Sequence, residues 1–269
     1  MIYIALLPAA LLSVYFCGRL VFRHYFYKQL QVLFSHRQEI GKKVDLSSLD
    51  LPSPVRAYFC HVLTDGMHYV SCARLKHTGT FKTDLRKDWV AVKGEQYFTV
   101  MRPGFIWRGT IGTFSAIDSY INGKGTLSVW LFSAFRIANA TGQRMDRAEL
   151  LRWLGEDVWM PTNLLPSRYV TWEPLSENSA RLLFCYRGIH LDYTVFFNEK
   201  NEICRMETLR SYNNGAAQPW VGTFSDYRYH YGMLVPMKVS ASWILDGIEY
   251  PYAQFDLKEI EYNVARQLV

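Results

Sequence analysis

The stretch WVAVKGEQYFTVMRPGFIWRGTIG, residues 89–112, alternates in character every second residue on both sides of Met101-Arg-Pro-Gly104. A period of two is the signature of a half-buried strand. Pro103-Gly104 suits the central positions of a type II turn, so the segment predicts a β-hairpin. The pattern then repeats. FSAIDSYI and TLSVWLFSAFRIA flank Asn122-Gly-Lys-Gly125. YVTWEPL, ARLLFCYRG, HLDYTVFFN, ICRMETLRSY and PWVGTFSDYRYHYG follow, and LVPMKVSASWILDGIEYPYAQFDLKEI is broken by Asp246-Gly247, a strong two-residue hairpin signal. About ten to twelve strands in meander order are expected, antiparallel because no long helices alternate with them. A sheet of that size twists and curls, so the expected fold is α+β, mainly antiparallel β, as a large curved meander sheet or open half-barrel.

Two helical segments belong to that domain. In the first, Ser53 is a cap candidate, Pro54 fits the first helical position, and Val55, Tyr58, Phe59, Val62 and Leu63 form one stripe. His61 lies off the stripe and reads as solvated. The second is LLRWLGEDVWMPTNLLPS, 150–167, a central inserted helix expected to cover the concave side of the sheet. Asp146 with Glu149 resembles a capping box, and Leu150, Leu151, Leu154 and Val158 fall within one arc. Glu149, Arg152 and Glu156 take the opposite, polar side at ion-pair spacing. Asp157 falls at the edge of the apolar arc, between Leu150 and Trp153, where burial would raise its pKa. Pro161 ends the helix at Met160, and an extended apolar tail runs to Pro166.

The chain of 269 residues is 49% hydrophobic and 16% aromatic, enough for a sizeable core. Its net charge of +6 is unevenly spread: residues 1–43 hold six Lys or Arg against Glu39, and the remainder carries 24 basic and 23 acidic residues. A neutral body argues against nucleic acid as a partner. From Met1 to Gly18 there is no charged side chain. Seventeen to twenty-one helical residues span about 26–31 Å, the thickness of a hydrocarbon core, so residues 1–22 are expected to be a transmembrane anchor in the lipid bilayer. Residues 23–50 follow as a basic juxtamembrane helix and linker, with Phe22, Phe26, Leu30 and Leu33 at helical spacing, and 51–269 form the β-rich domain. All basic residues of this segment lie after the span, so the domain is expected on the cytoplasmic side of the cell membrane, with an extracytoplasmic domain as the alternative. The five cysteines form no CxxC pair and suggest no disulfide framework.

Four segments, LPSPVRAYF (51–59), MRPGFIW (101–107), LLRWLGEDVWMPTNLLP (150–166) and WVGTFSDYRYHYGMLVP (220–236), resemble an uncharacterised bacterial family of membrane-anchored proteins known only as a domain of unknown function. The resemblance implies an N-terminal anchor and a β-rich domain, with no activity assigned. By motif position it points to Pro103, Gly104 and Trp107, to Glu156, Trp159 and Pro161, and to Trp220, Gly222, Asp226, Tyr227, Arg228 and Pro236. At the level of fold alone, the hairpin series with an inserted helix is similar to lipoprotein-carrier half-barrels.

Signatures of harder chemistry are missing. The sequence has no HExxH, no phosphate-binding loop, no GxSxG elbow and no dinucleotide fingerprint, and its histidines have no metal-ligand spacing, so no cofactor, metal or catalytic residue is assigned. Asp226 and Arg228 share a strand face and suit an ion pair. The expected role is therefore binding of a lipid-like, apolar or amphipathic ligand in the concave face of the sheet. Trp107, Trp153, Glu156, Asp157, Trp159, Trp220, Tyr227 and Arg228 are the candidate ligand contacts. A hydrolase-type enzyme using a carboxylate of 150–167, and a scaffold for another membrane protein, are the alternatives.

Overall fold

A computed structural model describes residues 2–35, 41–212 and 215–263, and for 2–11 the backbone alone. Thirteen strands form one antiparallel sheet among the described residues. The first meander is β1 (Cys72–Phe81), β2 (Val90–Thr99), β3 (Gly104–Ile111), β4 (Phe114–Ile121), β5 (Lys124–Leu131) and β6 (Phe135–Ala140). The second is β7 (Val170–Ser176), β8 (Ser179–Tyr186), β9 (Ile189–Phe197), β10 (Ile203–Ser211), β11 (Ala217–His230), β12 (Met233–Leu245) and β13 (Ile248–Tyr262). They join through β1 and β13, so β6 and β7 are the two edges. The expected α+β architecture, a large curved open sheet with a central helix, is the one present; the strand number is one above the expected range.

Turn chemistry fixes the meander. Asn122-Gly123, Arg187-Gly188, Tyr231-Gly232 and Asp246-Gly247 each place two consecutive residues at positive φ. Such turns carry the twist of the strands they connect. The β2–β3 connection differs from expectation: its turn is Val100–Pro103, and Gly104 already belongs to β3. Gly104 is needed for closeness instead, since a Cβ there would lie 2.8 Å from Leu33 Cδ1 and 3.1 Å from the Tyr120 carbonyl oxygen.

Leu33 belongs to α1 (Ile2–Phe34), a single helix that continues through the expected juxtamembrane segment. Phe22, Phe26, Leu30 and Leu33 are buried on the outer face of the sheet against Tyr97, Ile106, Ile117, Ile121 and Trp130. Tyr97 of β2, Ile106 of β3, Ile117 and Ile121 of β4 and Trp130 of β5 form an apolar bed for this stripe. The earlier part of the helix, with Leu12, Val14, Phe16, Leu20 and Val21, is exposed. No helix of the described residues is long and apolar enough to cross a membrane.

On the inner face, α2 (Ser53–Val62) buries Val55, Tyr58, Phe59 and Val62, with Tyr58 and Phe59 against Phe197 and Trp172. Its N-cap is Pro52, and no side chain caps it. The link between the two edge strands is α3 (Gln143–Glu156), followed by two 3-10 turns, Asp157–Trp159 and Pro161–Leu164. Helix α3 packs on β5, β4 and β3 on one side and on β10 and β9 on the other, and so bridges the open side of the curled sheet. Arg187 Nη1 adds a direct tie across that opening, donating to the Asn122 carbonyl at 2.6 Å.

The ends of α3 correct two expectations. The helix starts three residues before Asp146, with Gly142 as N-cap. Asp146 is not a cap because its carboxylate accepts the Gly125 N–H at 2.8 Å and Lys124 Nζ at 3.2 Å, pinning the helix to the β4–β5 hairpin. At the other end the α-helix stops at Glu156, and the tail to Leu164 is coiled into 3-10 turns where an extended run was expected. Those turns are held by indole and hydroxyl bonds: Trp159 Nε1 donates to the Pro236 carbonyl at 3.0 Å, Trp172 Nε1 to Leu164 at 2.8 Å, and Thr162 Oγ1 accepts from the Val70 N–H at 3.1 Å.

Candidate functional site: a cavity between the central helix and the sheet

Between α3 and the concave face of the sheet lies a cavity of about 700 Å³. Its walls come from both meanders: Ile111, Phe114, Ala116, Leu127 and Val129 on one side, Phe224, Val239, Ala241, Ala253 and Phe255 on the other. Strand alternation explains the depth profile. Asp118, Ala116 and Phe114 are successive inward residues of β4, and exposure rises from 8% at Asp118 to 44% at Phe114. The cavity is thus a funnel with mainly apolar walls toward its mouth, where Thr83 and Lys87 also line it, and a charged floor.

The floor is made by the polar stripe of α3. Glu149, Arg152 and Glu156 were expected to face away from the core; they face the cavity, and Glu149 is buried. Arg152 is the centre of the group. Its Nε donates to Glu156 Oε1 at 2.8 Å, its Nη1 to Asp118 Oδ2, and its Nη2 to Gln96 Oε1 at 3.3 Å. Gln96 Nε2 returns a bond to Glu156 Oε2 at 2.6 Å. Burial works against the Arg152 charge, but Glu156, Asp118 and Glu149 outweigh it and keep the guanidinium protonated. That guanidinium also lies over two rings, 4.9 Å from the centroid of Phe105 and 5.3 Å from that of Trp107.

Glu149 is the exceptional member. Burial, then the Asp118 carboxylate beside it, raise its pKa well above the usual carboxylate value, with Arg152 and Arg210 offsetting only part of this. No N–H or hydroxyl group among the described residues reaches Asp118 Oδ1 or Glu149 Oε2. A proton held on Glu149 and shared with Asp118 satisfies this carboxyl pair.

Behind the floor, Trp107 Nε1 donates to His77 Nε2 at 2.8 Å, and the two rings lie nearly parallel. Two glycines make this possible. A Cβ on Gly94 would come within 2.5 Å of Trp107 Nε1, and one on Gly109 within 2.1 Å of Trp107 Cη2. The indole therefore lies flat across adjacent strands and forms part of the cavity wall. Across the cavity Arg210 lies over Trp220, 5.2 Å from the ring centroid, and makes no ion pair among the described residues. Trp220 Nε1 donates to the Tyr252 hydroxyl at 2.9 Å.

Of the residues singled out in the sequence, Trp107, Glu156, Trp159 and Trp220 line this cavity together. The other four lie elsewhere. Trp153 points to the opposite side of α3, donating to the Thr99 carbonyl at 3.2 Å. Asp157 is fully buried, and its carboxylate accepts Asn163 Nδ2 at 3.1 Å; burial raises its pKa well above the usual range. Tyr227 donates to the Ile203 carbonyl at 2.7 Å, and Arg228 pairs with Asp226 at 2.9 Å on the surface, the ion pair expected from their spacing. Asp118, Glu149, Gln96, His77 and Arg210 were not recognised. Asp118 had a legible signal: alternation puts this charged residue on the same face as Ala116 and Tyr120. Among the described residues no group of His, Cys, Asp and Glu is arranged to hold a metal ion.

An open antiparallel half-barrel, bridged by a helix over a ligand-sized cavity, is the class that this geometry defines. The chain belongs to a family of unknown function, DUF6544, whose model matches residues 42–255. No curated protein matches it. Among solved structures, the chain is similar to a LolA superfamily protein from Nitrosomonas europaea, with 8% identity and a TM-score of 0.42, over 71% of this chain and 86% of that one. It is also similar to a domain described as an outer membrane lipoprotein-sorting protein from Vibrio parahaemolyticus, with 9% identity and a TM-score of 0.40, over 72% and 86%. These likenesses concern the outline of the fold.

Proposed function

We propose that this protein binds a lipid-like amphipathic molecule in the cavity between α3 and the sheet, its apolar part against the two walls and its polar end toward the charged floor. The observation that carries this reading is the cavity itself: about 700 Å³, with apolar walls from both meanders and one charged group at its base. Clefts of this size and lining are the usual form of small-ligand sites. Trp107, Trp159 and Trp220 supply rigid aromatic wall, and Glu156, Arg152 and Arg210 supply polar contacts at either side. A carboxylate-based hydrolase on 150–167 is less well supported, because Glu156 is tied to Arg152 and Gln96 and Asp157 does not line the cavity. The exposed apolar half of α1 suits attachment to the cell membrane, and the basic residues that follow it suit a cytoplasmic domain.

Binding is tested with a dansyl-labelled fatty acid, excited by energy transfer from tryptophan. One saturable site is expected, weakened at least about tenfold by Ala241→Phe, which puts a phenyl ring into the cavity. Absence of saturable binding by a folded chain would refute the reading.

A further inference from the structure

The cavity mouth, the β5–β6 hairpin and the free half of α1 all lie at one end of the sheet. Leu33 of α1 sits over Gly104 at the opposite end, where β3 begins. The Phe22 ring meets Trp130 of β5 at 5.3 Å between centroids, and Gly18 abuts Ala134 in the β5–β6 turn so closely that a Cβ would lie 2.7 Å from the Ala134 oxygen. Helix α1 thus runs along the strands toward the mouth, and Leu12 and Phe16, each more than half exposed, project beyond it.

The mouth end presents an apolar rim of its own. Phe114 and Ile137 line the cavity yet are 44% and 55% exposed. Phe114 pairs with Leu131 and Leu131 with Phe135, so the rim continues outward to the hairpin tip. At the tip stands Phe132, 47% exposed, at φ 54° and followed by Ser133 at φ 52°. Two consecutive residues at positive φ form the same kind of turn as the other hairpins of the sheet, and here the turn holds a phenyl ring out in solvent.

Charge selects the partner. Neither residues 2–35 nor residues 119–145 contain an aspartate or glutamate, while Arg19, Arg23 and Arg136 lie on α1 and β6; the other loops of this end balance Asp84, Asp88 and Asp246 with Lys82, Arg86 and Lys87. The aromatic tip flanked by arginine on α1 and β6 matches an anionic membrane surface, where rings enter the interface and cations meet phosphate. We propose that the mouth end docks on an anionic lipid bilayer, with Phe132 entering the interface, so that the cavity opens toward the membrane. What enters the cavity there rests on the ligand reading above; the docking does not.

The test uses the full chain with Cys17→Ser, Cys60→Ser and Cys185→Ser, labelled with the environment-sensitive fluorophore NBD at Phe132→Cys or, at the opposite end of the sheet, at Met101→Cys. On adding phosphatidylcholine vesicles containing phosphatidylglycerol, emission from position 132 is expected to brighten and shift to the blue, while position 101 stays as in water. A vesicle-bound chain whose position 132 remains as in water would overturn the docking, and so would equal responses at 132 and 101. In the unlabelled chain Phe132→Asp is expected to lower affinity for these vesicles about tenfold, the loss of one buried phenyl group. A chain that inserts position 132 but binds no fatty-acid probe would keep the docking and refute the ligand reading.

Discussion

Arg152 stands over the face of Trp107, its guanidinium carbon 5.3 Å from the ring centroid, while the same guanidinium holds Asp118 and Glu156. One cation therefore organises both the carboxylates of the cavity floor and the aromatic wall beside them. Replacing Arg152 with Met keeps the bulk and removes the charge, leaving two largely buried carboxylates without their cation. A loss of about 3–5 kcal/mol in denaturant unfolding is expected. A loss below about 1 kcal/mol would mean that the floor group does not support the fold.

Burial and then the Asp118 carboxylate raise the Glu149 pKa well above the usual carboxylate value. A carboxyl whose folded pKa is raised contributes stability fully below the unfolded value and loses it as pH rises toward the folded value. Glu149→Gln keeps the shape and the neutrality, so it is expected to flatten the decline of stability from about pH 4.5 upward while leaving acid stability unchanged. Unfolding midpoints across pH for both chains measure this.

His77 behaves in the opposite sense. Burial, with Arg152 nearby, pushes its pKa down to about 4, and Nε2 is occupied as acceptor of the Trp107 N–H. Its neutral form is the folded form, so the stability it contributes is present above about pH 6.5 and drains away as pH falls toward 4, on the order of 3 kcal/mol at most. Titration of the imidazole by NMR is expected to show no protonation of His77 down to about pH 5. A midpoint near 6.5 would contradict the buried Trp107–His77 bond.

Gly109 leaves the space that Trp107 occupies. Gly109→Ala forces a methyl group into the indole, and a cost of about 1–3 kcal/mol with altered tryptophan fluorescence is expected. Gly112→Ala is the contrasting variant: nothing lies within 4 Å of its Cβ position, but φ is 57°, so its penalty is conformational and the fluorescence should not change.

Much of this fold was legible because strands and their turns are local. Asn122-Gly123 and Asp246-Gly247 fixed hairpins wherever they stood, and the stripes of α2 and α3 followed from residues a few positions apart. The site was legible in part. Glu149, Arg152 and Glu156 have the same spacing whether their side of the helix meets water or a cavity, and only the curl of a thirteen-stranded sheet decides between them. Asp118, Gln96 and His77 reach the floor through pairing across β1 to β4, which no local pattern encodes. The same holds for α1: the Phe22, Phe26, Leu30 and Leu33 stripe was visible, but its bed on Tyr97, Ile106 and Trp130 was not.

The most direct measurement is native mass spectrometry of the detergent-free protein beside Ala116→Phe and Ala241→Phe, two variants that narrow the cavity from opposite walls. The unmodified chain is expected to carry one amphiphile of defined mass, released on unfolding. Both variants, with unfolding temperatures close to the parent, are expected to fly without it. A parent chain that is bare after purification and stays bare when offered lipid would contradict a ligand-binding cavity.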